Sequence, residues 1–126
     1  LSKVKVPLFI LASREDHIVP WRSAFRSKDI MGKDARFVLA ASGHVAGVIN
    51  PPARKKRNYW VNADLGSDAD NWLEHAEQKP GSWWPDWDGW MKAHSSGSVP
   101  APKELGNATF PVIEPAPGRY VKQKSN

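Results

Sequence analysis

The chain has no cysteine. That excludes a disulfide framework and thiolate metal ligation, and it leaves the sequence without the most reactive nucleophile available to an enzyme. No run of about eighteen apolar residues occurs, so no segment reads as a membrane-spanning helix, and no basic stretch followed by an apolar core reads as a secretory signal. Metal-ligand spacing is also missing. His17, His44, His75 and His94 fall at no recognisable ligand interval, and no metal is expected. The net charge is +5, but the basic residues are dispersed except for Arg54-Lys55-Lys56-Arg57. Without a helix-turn-helix, zinc or RNA-binding signature, that cluster reads as a solvated loop or helix start; attraction of an anionic substrate is a better use of the charge than nucleic-acid binding.

What is present is a soluble globular composition, 40% hydrophobic and 25% charged, in 126 residues, enough for one small domain. The first residue is Leu1, and an apolar run begins within four residues, which reads as a segment cut from a larger protein. Val4 to Ala12 (VKVPLFILA) is a short continuous apolar run of the kind that forms a buried strand. Pro20 then opens a helix, with Trp21, Ala24, Phe25 and Lys28 at helical spacing up to Met31-Gly32. Arg36 to Ala41 (RFVLAA) is a second buried strand. Strand, helix, strand is the unit of a parallel α/β sheet, and two strands alone do not make a stable one.

Asn50-Pro51-Pro52 stops the apolar run after His44. A further helix is expected from about Asp68 to Gln78. Trp83 to Met91 (WWPDWDGWM) would place Trp83, Trp87 and Trp90 on one helical face. Seven tryptophans invite a reading as a stacking platform or a polymer-contacting surface, but packing is preferred, because large aromatics dominate buried area. The last thirty residues are rich in Pro, Gly, Ser and Ala and read as an extended or partly disordered tail.

Asp16 lies just beyond the first strand and His44 just beyond the second. In open parallel sheets the site lies at the carboxyl ends of the strands, which would bring both side chains to one crevice. A carboxylate that orients an imidazole and stabilises its cation is the standard partner of a histidine base. Acid followed by histidine, after an upstream nucleophile, is the α/β-hydrolase order. Taken singly, an Asp and a His at loop ends are more often capping and solvated residues; their shared strand-end placement and distinctive flanking sequence favour the catalytic reading.

The strings SREDHIVPW (Ser13 to Trp21), ASGHVAGVINPPA (Ala41 to Ala53), GSWWPDW (Gly81 to Trp87) and EPAPGRYVK (Glu114 to Lys122) together resemble the C-terminal third of a class I poly(3-hydroxyalkanoate) synthase. The resemblance implies the C-terminal part of an α/β-hydrolase-like fold with a mostly parallel sheet, incomplete in this chain. Residues 1–95 would belong to the catalytic domain and 96–126 would form the extended tail. It implies an acyltransferase that polymerises (R)-3-hydroxyacyl-CoA, of short chain length, with release of CoA. His44 falls on the family's general base and Asp16 on its catalytic carboxylate. His17 and Gly43 are candidate supporting or substrate-lining residues. No cofactor is implied, since acyl-CoA is a substrate. The implied surroundings are the cytoplasm, the surface of a polyester storage granule and a homodimer. The family's cysteine nucleophile has no counterpart here, and neither G-x-C-x-G nor G-x-S-x-G occurs, so the chain alone is expected to be inactive. An esterase or depolymerase of the same fold and a non-catalytic, tryptophan-rich binding module are the competing readings.

Overall fold

The computed structural model describes residues 3–31 and 34–124, which fall into two compact units, 1–96 and 97–126. The first unit holds a four-stranded sheet of β1 (Leu8–Ser13), β2 (Ala35–Ala40), β3 (Asn58–Val61) and β4 (Glu77–Pro80), in that spatial order. Between β1 and β2 lie α1 (Trp21–Phe25) and α2 (Ser27–Met31); α3 (Ala69–Glu74) precedes β4, and α4 (Trp84–Ala93) follows it.

β1 and β2 pair in parallel, Leu8 opposite Ala35 through Ser13 opposite Ala40, as strand-helix-strand order requires. The remaining two pairings are antiparallel, so the sheet is mixed, and the expectation of a mostly parallel sheet is corrected. The reason lies in the segment from Ala41 to Arg57. It never crosses to the far edge of the sheet: the Ala41 N–H donates to Asn58 O at 3.0 Å, so β3 starts where β2 stops and must run back along it.

Three element boundaries also differ from expectation. β1 begins at Leu8 rather than Val4, because Pro7 has no N–H to offer a ladder. The helix expected from Trp21 onward is two short helices, because the chain tightens at Arg26, where the Asp29 N–H reaches back three residues to Arg26 O. α2 ends at Met31; the expected stop at Gly32 lies outside the described residues. The helix expected to reach Gln78 ends at Glu74, and Glu77 and Gln78 instead pair with Val61 and Trp60 as an edge strand. Its start agrees with expectation: Asp68 is the N-cap, accepting the Asn71 N–H at 2.8 Å.

Alternation along the strands feeds a core on each face of the sheet. On one face Ile10, Ala12, Phe37 and Leu39 meet Trp21, Phe25 and Trp72 from the helices. Phe25, Phe37 and Trp72 pack as a triangle of edge-on and tilted rings 4.9 to 5.7 Å apart. On the other face Val38, Tyr59 and Val61 are covered with Phe9, Leu11 and Trp83. α4 is fastened to this face by Asp86, which is 9% exposed and receives the Arg36 Nε–H of β2 at 2.7 Å in a two-pronged ion pair.

In the second unit the described residues form turns and one 3-10 turn, Tyr120–Lys122, with large apolar side chains such as Phe110 and Ile113 exposed. Asn107 Oδ1 accepts the N–H groups of Thr109 and Phe110, and Glu114 pairs with Arg119 at 3.2 Å.

Candidate active site

Parallel pairing ends β1 and β2 side by side, and the two loops stay joined beyond the strands. The Arg14 N–H donates to Ala40 O at 2.8 Å and the Glu15 N–H to Ser42 O at 3.1 Å. Ser42 takes a left-handed conformation, φ 80°, which turns the second loop. Three residues past β1 and four past β2, Asp16 and His44 arrive together. His44 Nδ1 is 3.8 Å from Asp16 Oδ1, beyond direct hydrogen-bond length, and Nδ1 is buried with no other polar partner.

Asp16 is held from its own loop. Oδ1 accepts the Ile18 N–H at 2.8 Å and the Val19 N–H at 3.0 Å. These bonds, the one from Val19 foremost, hold the carboxyl below the usual carboxylate range against the opposing effect of desolvation; the neighbouring charges of His44 and His17 act in the same sense. Its side chain is 14% exposed and that of His44 39%, so the acid is covered and the imidazole reaches the surface. His17 is exposed, and its ring stands edge-on to His44 with centroids 5.1 Å apart. Ile18, Val19, Val45 and Ile49, all more than half exposed, surround the pair in sequence and give the site apolar flanks.

The loop that carries His44 coils on itself, with Gly47 N–H to Gly43 O and Ile49 N–H to Val45 O, both at 2.8 Å. Gly47 has no room for a side chain: a Cβ there would lie 2.5 Å from Ser13 Oγ and 2.9 Å from the carbonyl oxygens of Ala41 and Gly43. Gly43, singled out from sequence, has ordinary space, its nearest neighbour being Glu15 O at 3.7 Å. Two indoles grip the loop. Trp83 Nε1–H donates to Gly47 O and Trp84 Nε1–H to Val48 O, each at 3.0 Å. Buried Asn50 closes it, donating through Nδ2 to Lys56 O at 3.0 Å. Sequence reasoning missed Gly47, Trp83, Trp84 and Asn50 as parts of the site; the paired tryptophans were a visible signal, but their partners lie far away in the chain.

The other histidines stand apart from this cluster. His75 Nδ1 lies 2.9 Å from Asn71 O, and His94 Nδ1 lies 2.8 Å from Trp90 O, each at the end of its own helix. Among the described residues no group of His, Asp and Glu is arranged to hold a metal ion. Among the described residues no helix is long and apolar enough to cross a membrane. The arrangement can hold a proton at His44 beside a fixed negative charge, and it contains no thiol to receive one.

No family model matches the chain. It is 50% identical over 125 residues to the poly(3-hydroxyalkanoate) polymerase subunit of Cupriavidus necator, covering 99% of this chain and 21% of that protein. It is 49% identical to poly(3-hydroxyalkanoate) polymerase 2 of Ectopseudomonas oleovorans, covering 96% of this chain and 22% of that protein. With the polymerase subunit of Rhizobium etli the identity is 42%, over 99% of this chain and 20% of that protein. The chain thus spans about one-fifth of the length of these relatives. Along its whole length, it is homologous to part of the poly(3-hydroxyalkanoate) polymerases.

Proposed function

We propose that this chain supplies the acid and the base of a polyester synthase, Asp16 and His44, to a cysteine nucleophile outside the sequence. The observation that carries the reading is the meeting of these two side chains at the carboxyl edge of β1 and β2, within 3.8 Å, in a chain homologous to polymerases. His44 turns Nδ1 toward Asp16, which leaves Nε2 for the nucleophile. An ionised Asp16 favours the imidazolium that forms when His44 takes the thiol proton.

The thiolate then attacks the thioester carbon of an (R)-3-hydroxyacyl-CoA. The C–S bond to CoA breaks, the CoA thiolate recovers the proton from His44, and an acyl-cysteine remains. The 3-hydroxyl of the next monomer attacks that acyl group, its proton passing to His44 or Asp16; the C–O ester bond forms, the C–S bond to the cysteine breaks, and the released thiolate is free to be acylated again by the lengthened chain. Ile18, Val19, Val45 and Ile49 provide apolar surface beside the reacting centre for an acyl chain. The same reading assigns residues 1–95 to the C-terminal portion of an α/β-hydrolase-like catalytic domain, and the working enzyme is a homodimer at the surface of a cytoplasmic polyester granule.

The test uses a full-length polymerase carrying this segment. His44→Gln should abolish the burst of CoA that accompanies acylation, and a wild-type burst would overturn the assignment. The 126-residue chain alone should release no CoA from (R)-3-hydroxybutyryl-CoA.

A further inference from the structure

The loop that bears His44 is long, lies outside the sheet ladder after Ala41, and depends on other groups to hold its backbone. Two of its successive carbonyls, those of Gly47 and Val48, are taken by two successive indoles, those of Trp83 and Trp84. The two bonds run in register, at the same sequence offset. Neither indole is free to follow the loop if it drifts. Trp83 packs on Phe9 of β1 with ring centroids 6.2 Å apart, and Trp90 of the same helix lies 5.6 Å from Phe9. Asp86, also in α4, is clasped by Arg36 of β2. The loop also lies against the end of β1, where Gly47 leaves no space for a side chain beside Ser13 Oγ.

The loop that bears His44 is therefore held at Gly47 and Val48 by the end of β1 and by a helix anchored to β1 and β2. We propose that Trp83 and Trp84 are positioning residues, whose indole N–H groups set the place of His44 relative to Asp16 and so act on the chemical step rather than on substrate binding. The inference rests on the proposed role of His44. Its physical basis is that a catalytic base must be held to a fraction of an ångström, and that a carbonyl robbed of its donor pulls its loop toward another partner.

The experiment is steady-state and burst kinetics on a full-length polymerase carrying this segment, with Trp83→Phe, Trp84→Phe, His44→Gln and, as a matched control on α4, Trp87→Phe. Trp87 is 44% exposed and gives the His44 loop no hydrogen bond among the described residues; its edge-on contact with Trp83, centroids 6.2 Å apart, is one that phenylalanine can keep. Each of the first two variants should lower kcat by about 10- to 100-fold, with KM for the acyl-CoA within about twofold, and Trp87→Phe should leave both within about twofold. Installing 3-benzothienylalanine at position 83 keeps the ring size and deletes only the N–H; the same fall in kcat is expected, and this replacement decides the matter if Trp83→Phe does not fold. A kcat within about twofold of wild type for the benzothienyl protein would overturn the proposal, as would a loss confined to thermal stability. If His44→Gln itself keeps a full acylation burst, the role of His44 fails first, an outcome distinct from failure of the clamp alone.

Discussion

Asp16 Oδ1 faces two ways: it accepts the backbone N–H groups of Ile18 and Val19, and it is the oxygen 3.8 Å from His44 Nδ1. The local bonds fix the carboxylate before any imidazole reaches it. A structural duty and the proposed catalytic one therefore share a single atom, and substitution can part them.

Asp16→Asn keeps a side-chain oxygen for both N–H groups but removes the charge. It should fold with a melting temperature a little below wild type at neutral pH and lose at least about a hundredfold in kcat, by analogy with an acid that sets a histidine's tautomer. Asp16→Ala removes the oxygen as well and should lower both activity and melting temperature. Circular dichroism melts beside CoA-release assays separate the two; an Asn variant with normal kcat would assign Asp16 to the turn alone.

Acid pH should act on the same group in a defined sense. The folded pKa of Asp16 is depressed, chiefly by the Val19 N–H, so its contribution to stability is complete above the unfolded value, about 4, and is lost as pH falls through the lower folded value. The stability difference between wild type and Asp16→Asn should hold from pH 7 to 5 and shrink below about pH 4. Any acid limb of kcat/KM above about pH 5 should belong to a group other than Asp16, and should persist in residual Asp16→Asn activity.

Gly47→Ala should be costly although alanine is the smallest side chain that can be added. Its Cβ would meet two backbone oxygens at 2.9 Å as well as Ser13 Oγ at 2.5 Å, and backbone cannot step aside. We expect a loss of about 1–3 kcal/mol and a fall in kcat, because the displaced loop carries His44. Adding Ser13→Ala should not restore either, since the carbonyl contacts remain. Gly43→Ala, with ordinary space around it, should be far milder.

Two ion pairs should behave differently under mutation. Arg36 and Asp86 are 35% and 9% exposed, and Asp86→Ala strands a half-buried guanidinium and loosens α4, for about 2 kcal/mol. Arg22 and Asp70 are 58% and 61% exposed, and Asp70→Ala should change the urea midpoint little, with that change vanishing at high salt.

The parts legible in the sequence are those written in short stretches of chain. Apolar runs located β1 and β2, the Asp68 cap located the start of α3, and strand ends located Asp16 and His44, because parallel pairing of adjacent strands carries their exits to one edge. Periodicity failed where pairing partners were distant. Glu77 and Gln78 have helical propensity, yet their backbone gains more from the ladder offered by β3, and no local pattern announces that offer.

The amino-acid sequence by itself thus determined which residues are the candidates for the chemistry and which family the chain resembles, since side-chain identity and strand-end position are local properties. Only the tertiary structure decided the mixed order of the sheet, the glycine demanded at Gly47 and the grip of Trp83 and Trp84 on the histidine loop. Each of these depends on backbone groups far apart in the chain being brought within contact or hydrogen-bond distance, and that distance is set by packing rather than by any spacing along the chain.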